Sequence, residues 1–285
     1  MRRKKEDLCS ELEKKANIAF YEMTDGTKIR VLEFDFAKNP NKYTLLFIPG
    51  FATVFQSWQE VLEPLSKEFR ILYFESREKN SSIMPTRKIE RNINLHKMAY
   101  DIKETFEQMG LKDQNYITVC SSTGGTIEIE ALSEKWISPN GAVMVGPTVE
   151  YHLSLIAPLL VSIVPKFVKN LFTPIFRWYV GKIYVDKKEN PEQYAKYVRA
   201  GEEIKLRKVR KILWQMTKYK CWDMLPKIGT KCLLVGASSD KMHATEETKK
   251  THELIPNSAF IDLGSNKATH SQPLVDAIKS FTENL

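Results

Sequence analysis

The chain has 285 residues, 42% of them hydrophobic and 27% charged, enough to bury a full core and unlike a disordered or fibrous composition. Its 43 Lys and Arg exceed its 35 Asp and Glu by a net +8. The lysines are spread along the chain without a DNA- or RNA-binding motif, so nucleic acid is excluded as a partner. The opening Met1-Arg2-Arg3-Lys4-Lys5 lacks the apolar stretch of a secretory signal, which predicts a cytoplasmic protein, and the four cysteines show neither zinc-site nor disulfide-framework spacing.

In chain order, β-type runs at 16–22, 28–36, 43–49, 70–75, 115–121, 141–146, 231–236 and 258–263 predict eight strands. The first two meet at Asp25-Gly26, a hairpin signal, so the sheet begins antiparallel. From the third strand onward, helical patterns at 54–68, 94–109, 124–136, 244–255 and 271–284 alternate with the strands. That alternation predicts right-handed crossovers and a mostly parallel sheet flanked by helices.

The alternation fails between Pro147 and Lys227, where no strand is legible. We read a helical cap inserted after the sixth strand, dividing the chain into core (1–147), cap (148–227) and core again (228–285). The cap opens with a charge-free run from Tyr151 to Pro165. Lys166, Lys169, Arg177 and Lys182 then interleave with aromatic residues that include Phe172 and Phe176. A spanning helix needs about 20 apolar residues, and Pro158 and Pro165 interrupt the run, so no span is predicted. Apolar and aromatic side chains over a site predict a hydrophobic substrate, with Phe172 and Phe176 as binding residues. The basic and aromatic mixture also suits peripheral contact of the cap with anionic lipid.

The most pointed motif is Tyr116-Ile-Thr-Val-Cys-Ser-Ser-Thr-Gly-Gly-Thr126, a strand that breaks into small residues and restarts as a helix. A serine at the apex of such a turn needs small neighbours two residues to either side. For Ser122 these are Cys120 and Gly124. For Ser121 they would be the β-branched Val119 and Thr123. Ser122 is the candidate nucleophile of a small-x-Ser-x-Gly elbow. Asp240 follows the strand at 231–236, and His270 follows the strand at 258–263 through a polar loop. Ser, Asp, His in that order is the nucleophile–acid–base order of one fold among several that use such a triad. Glu150, just past the strand at 141–146, is the rival acid.

On these residues the chain resembles the α/β-hydrolase family over nearly its whole length. Phe47-Ile-Pro-Gly-Phe51 with Ser57-Trp58 resembles the family's oxyanion-hole loop, and Gln108-Met-Gly-Leu-Lys112 its approach to the nucleophile strand. The resemblance implies Ser122 as nucleophile, Asp240 as acid, His270 as base, and the backbone N–H groups of Phe51 and Thr123 as oxyanion donors. It implies no cofactor and no metal. Three departures stand out: Cys120 for the elbow's first glycine, Pro49 for a histidine, and Glu75-Ser-Arg-Glu-Lys-Asn-Ser-Ser82 for a glycine-rich loop.

Serine is a weak nucleophile at neutral pH and must pass its proton to imidazole as it attacks a carbonyl. The expected function is therefore a serine hydrolase of an ester or related acyl bond, carboxylesterase- or lipase-like, acting on a small-molecule acyl substrate. Carbon–carbon bond hydrolysis and cofactor-free perhydrolysis use the same triad and stay open. A ligand-binding member without turnover is the alternative from another class.

Overall fold

The computed structural model describes residues 9–38, 40–51, 53–152, 196, 198–200, 206–239 and 245–285. The eight expected strands form one sheet in the order β1-β2-β4-β3-β5-β6-β7-β8. They are β1 (Asn17–Glu22), β2 (Lys28–Phe34), β3 (Thr44–Ile48), β4 (Ile71–Glu75), β5 (Tyr116–Ser121), β6 (Gly141–Val145), β7 (Cys232–Gly236) and β8 (Ser258–Asp262). β1 and β2 are antiparallel, joined through the Asp25-Gly26 turn, where the Thr27 N–H donates to Asp25 Oδ1 at 3.0 Å. β2 also runs antiparallel to β4, and the pairs from β4 through β8 are parallel.

The parallel strands β3 to β7 are buried along their whole length, as expected where helices cover both faces. Alternate side chains separate two cores. Leu45, Phe47, Ile117, Val119, Val143, Val145, Leu233 and Val235 face one side, and Leu46, Ile48, Cys120, Met144 and Leu234 the other. The first side is covered by α2 (Gln59–Leu65) and α8 (Gln272–Glu283), whose Leu274, Val275, Ile278 and Phe281 make a buried stripe at helical spacing. The second is covered by α4 (Leu95–Gln108) and α5 (Thr123–Ser133); every residue of α5 is buried. α7 (Thr245–Leu254) packs beside β7 and β8.

The expected helices at 94–109, 124–136, 244–255 and 271–284 are present within a few residues. The helix expected over 54–68 is shorter. A 3₁₀ turn at Phe55–Ser57 precedes α2, because Trp58 leaves helical geometry to pack on Phe47, with ring centroids 4.8 Å apart. Two short helices fall outside the predicted pattern, α1 (Glu11–Lys14) and α3 (Arg87–Arg91), each capped by a hydroxyl, from Ser10 and Thr86.

Between β6 and β7 the chain leaves the sheet, and the described part of this insertion is helical at 198–200 and in α6 (Leu206–Met216). Its first half, including Phe172, Phe176 and the basic–aromatic segment expected to meet lipid, lies outside the described residues. Among the described residues no helix is long and apolar enough to cross a membrane. Buried charge docks the insertion. Arg199 binds Glu13 through two nitrogens and Gln56 Oε1 at 2.8 Å. The Lys208 ammonium, fully buried, donates to the carbonyls of Arg77 and Lys79 at 2.7 and 2.8 Å and to the Ser82 hydroxyl.

The segment after β4 carries a second ionic cluster. Arg77, 1% exposed, binds both oxygens of the fully buried Asp101 on α4 and reaches Asp25 Oδ2 at 2.9 Å. It thereby ties the loop, the hairpin and a helix together. Removing one partner of such a pair strands a buried charge, so Asp101→Ala should lower stability by about 3–5 kcal/mol. Urea unfolding reads this directly, and an unchanged midpoint would show that the cluster does not hold the loop.

Candidate active site

In an open α/β sheet, ligands bind at the carboxyl ends of the strands where the strand order switches direction. Here that point lies between β3 and β5. Their register pairs Ile48 with Cys120, so the chain two residues on brings Gly50 beside Ser122. A carbon added to Gly50 would sit 3.2 Å from Ser122 Cβ. The same turn draws α5 against the end of β3. A carbon on Gly124 would lie 2.1 Å from the Ile48 carbonyl oxygen, so only glycine fits there.

This crowding strains the serine. Ser122 has φ 47° and ψ −121°, one of two non-glycine residues with positive φ among those described. Such a conformation costs about 1–3 kcal/mol and persists only when its surroundings enforce it. They do so from both sides. The Ser122 N–H donates to Val145 O at 3.1 Å, and its carbonyl accepts from Thr126 at 3.2 Å and Thr148 at 3.3 Å. Ser121, the other serine of the motif, has its hydroxyl occupied: Oγ accepts from the Gly50 N–H at 3.0 Å.

Ser122 and His270 line the same cavity, of about 210 Å3, together with Gly50, Phe51, Trp58 and Asn266. His270 ends a 3₁₀ turn, Ala268–His270, and stacks on the buried Trp58 at 4.2 Å between centroids. Its Nδ1 lies 2.9 Å from the Asn266 carbonyl and 3.1 Å from the Thr269 hydroxyl. A carbonyl can only accept, so Nδ1 carries the proton in that contact. Among the described residues, the amide N–H groups of Phe51 and Thr123 donate to no protein acceptor. Thr123 is also the first residue of α5, where unpaired amides and the helix dipole favour negative charge.

Asp240 lies outside the described residues. The chain leading to it is fixed: the Ser238 N–H donates to Asp262 Oδ1 at 3.0 Å and the Ser239 N–H to Gly264 O at 3.0 Å. Asp262 also accepts from the Gly264 N–H, and these amides hold its carboxyl below the usual range. It thus joins the loop toward residue 240 to the loop toward His270. Glu150 is turned elsewhere. Its Oε2 accepts from the Trp222 indole at 2.7 Å, and its backbone bridges to Lys220.

Three neighbours were not singled out from the sequence. Thr148 Oγ1 lies 3.4 Å from Ser122 Oγ. The Tyr151 hydroxyl bonds Thr126 Oγ1 at 2.7 Å and Thr123 Oγ1 at 3.2 Å, bracing the start of α5. The Lys79 ammonium donates to the carbonyls of Gly50 and Thr53, both at 2.8 Å. The only signal for Lys79 was negative, a charged segment where the family resemblance implies glycine.

Beneath the elbow, Glu128 of α5 is fully buried and neither carboxyl oxygen reaches a hydrogen-bond partner. Burial pushes its pKa up to about 7, with the Cys120 thiol and the Thr118 hydroxyl acting the other way.

The sequence matches the profile of the serine aminopeptidase (S33) family over residues 88–261. No curated protein matches it. Among solved structures it is similar to an esterase, RhEst1, from Rhodococcus sp. ECU1013, at 19% identity and a TM-score of 0.69, covering 94% of this chain and 99% of that one. A thermophilic esterase from Thermogutta terrifontis gives 18% identity and 0.68, with 94% and 99% covered. The enol-lactonase from Burkholderia xenovorans LB400 gives 11% and 0.69, with 93% and 97% covered. At these identities the likeness is one of fold.

The raised pKa of Glu128 fixes a sign. Below about pH 4.5 the carboxyl is neutral in folded and unfolded chains alike, and its full contribution to stability is present. Between about 4.5 and 7 only the unfolded chain ionises it, so stability falls as pH rises, by on the order of 3 kcal/mol in total. Glu128→Gln should remove that fall, seen by comparing urea unfolding at pH 5 and pH 8. Parallel pH profiles for wild type and variant would refute it.

Proposed function

The chain belongs to the serine aminopeptidase S33 family of α/β-hydrolase-fold enzymes, and on that premise we propose that it cleaves a carboxylic ester or related acyl bond of a hydrophobic small molecule through an acyl-Ser122 intermediate. One observation carries the reading: a serine held at φ 47° on a strand-to-helix turn lines the same cavity as the His270 imidazole.

In this mechanism Ser122 Oγ attacks the carbonyl carbon while its proton passes to His270 Nε2. The oxyanion is met by the Phe51 and Thr123 amides, which among the described residues donate to no protein acceptor. Such preorganised donors are worth about 3–4 kcal/mol each. Collapse expels the alkoxide, which takes the proton from His270. A water activated by the same imidazole then releases the acid. Asp240 is the proposed acid that stabilises the imidazolium, and the engagement of Glu150 with Trp222 favours it over that rival.

The family's name raises amide substrates with a free amino terminus. Among the described residues lining the cavity, none carries a carboxylate to hold an ammonium group, which favours esters. Val145, Val235, Ala237 and Trp58 give the cavity an apolar wall, which supports a hydrophobic acyl group.

A fluorophosphonate probe should label wild type and Ser121→Ala but not Ser122→Ala. In the same assay series Asp240→Asn should lower kcat by about 10⁴-fold, since an amide favours the wrong imidazole tautomer. Labelling that survives in Ser122→Ala would remove the nucleophile assignment. A collapse in Glu150→Gln, with normal turnover in Asp240→Asn, would move the acid to the loop after β6.

Across p-nitrophenyl esters, kcat/KM should rise over the first few acyl carbons, by about 0.8 kcal/mol for each methylene buried, and then level off as the cavity fills. Aminoacyl p-nitroanilides serve as the contrasting series. Faster turnover of these anilides would overturn the ester reading in favour of aminopeptidase activity.

A further inference from the structure

We propose that Lys79 is a positioning residue that orients and polarises the Gly50–Phe51 peptide, so that the segment standing in place of a glycine-rich loop tunes the oxyanion hole. This rests on the serine-hydrolase reading above. The Gly50 carbonyl and the Phe51 N–H belong to one peptide unit, planar and trans, so they point in opposite directions. Whatever holds the carbonyl therefore aims the N–H.

Lys79 holds that carbonyl with a charged donor. Its ammonium lies 2.8 Å from Gly50 O and 2.8 Å from Thr53 O, with Glu78 Oε1 at 3.4 Å. The residue is 6% exposed, so little water competes. A charge-assisted hydrogen bond to a carbonyl draws density from the amide and strengthens the N–H at its other end as a donor. The opposite flank of Gly50 is fixed as well, by its own N–H on Ser121 Oγ. Gly50 is thus held on both sides, through the preceding peptide's N–H and its own carbonyl, with the Phe51 N–H left over.

The arrangement has its own foundation. Lys208 of α6 binds the carbonyls of Arg77 and Lys79, and Arg77 is anchored on Asp101, so the backbone from which Lys79 projects is immobilised from two directions. Burying a lysine and a glutamate side by side is costly where packing alone is required. Two carbonyl contacts at the mouth of the site give the charge something to do.

The test compares Lys79→Met and the charge-balanced Glu78→Gln/Lys79→Met with wild type, each titrated with the fluorophosphonate probe so that rates are expressed per competent site. The expected result is a fall in kcat of about 10–100-fold, below the loss for removing a whole donor, with KM within about threefold. Gly-Phe occurs once in the sequence, so protein labelled with glycine carbonyl 13C and phenylalanine 15N gives one amide–carbonyl correlation, from the Gly50–Phe51 peptide. That signal should move in both variants.

A purely structural lysine would lower the urea midpoint and leave kcat per labelled site within twofold, which would overturn the proposal. So would a coincident peptide signal. If the wild type itself resists the probe, the serine-hydrolase reading fails instead, and the peptide signal still decides whether Lys79 sets that peptide.

Discussion

No side-chain carbon fits between Gly124 and the end of β3, and much of the site follows from that contact. The Ile48 carbonyl stands where a Cβ at position 124 would be, at 2.1 Å, with the Pro49 carbonyl at 2.9 Å. Helix α5 therefore starts as close to the neighbouring strand as two backbones allow. A chain entering that helix from β5 must turn within one residue, and Ser122 takes the positive φ that the turn demands. Strain, exposure of the hydroxyl and proximity to Gly50 are three results of one steric condition.

The strain is contained by hydrogen bonds from the next strand. Val145, Thr148 and Thr126 engage the backbone of Ser122, and Tyr151 ties the first turn of α5 to the loop after β6. That loop leads into the insertion, so the chain that departs to the cap also braces Ser122. Trp58 has the matching role for His270, giving its ring a flat, buried surface to lie on. Each of the two proposed reacting groups is oriented by contacts made elsewhere, which is how a site avoids reorganisation during a reaction.

Charge is buried unusually densely behind this site. Arg77, Glu78, Lys79, Asp101 and Lys208 are all below 10% exposure. Most of their hydrogen-bonding groups end on backbone carbonyls or on one another. Glycine in such a loop lets backbones approach by leaving side chains out. Here long ionic side chains turn inward and bond the backbones instead, coupling α4, α6 and the loop after β3. The cost is desolvation, and the return is one fixed loop conformation.

The chain's local pattern was enough to specify the sheet, because buried parallel strands are written as short apolar runs and their crossovers as amphipathic helices, signals that need no knowledge of neighbours. It also determined the register of the elbow. Cys120 and Gly124 are small for a steric reason, and the alternative centred on Ser121 would have placed Val119 and Thr123 where no branch fits. The Asp25-Gly26 turn was legible on the same local terms. What Ser121 does instead, accepting from Gly50, needed β3 and β5 side by side. Lys79 and Glu78 were visible only as an anomaly, since a charged pair in a loop reads as solvated until the fold closes over it. Thr148 and Tyr151 carried no pattern at all, because a hydroxyl gains its role from what stands 3 Å away in space. Periodicity encodes which face of an element is buried; only the tertiary structure decides which distant backbone or side chain waits on that face, and electrostatics at short range acts through that choice alone.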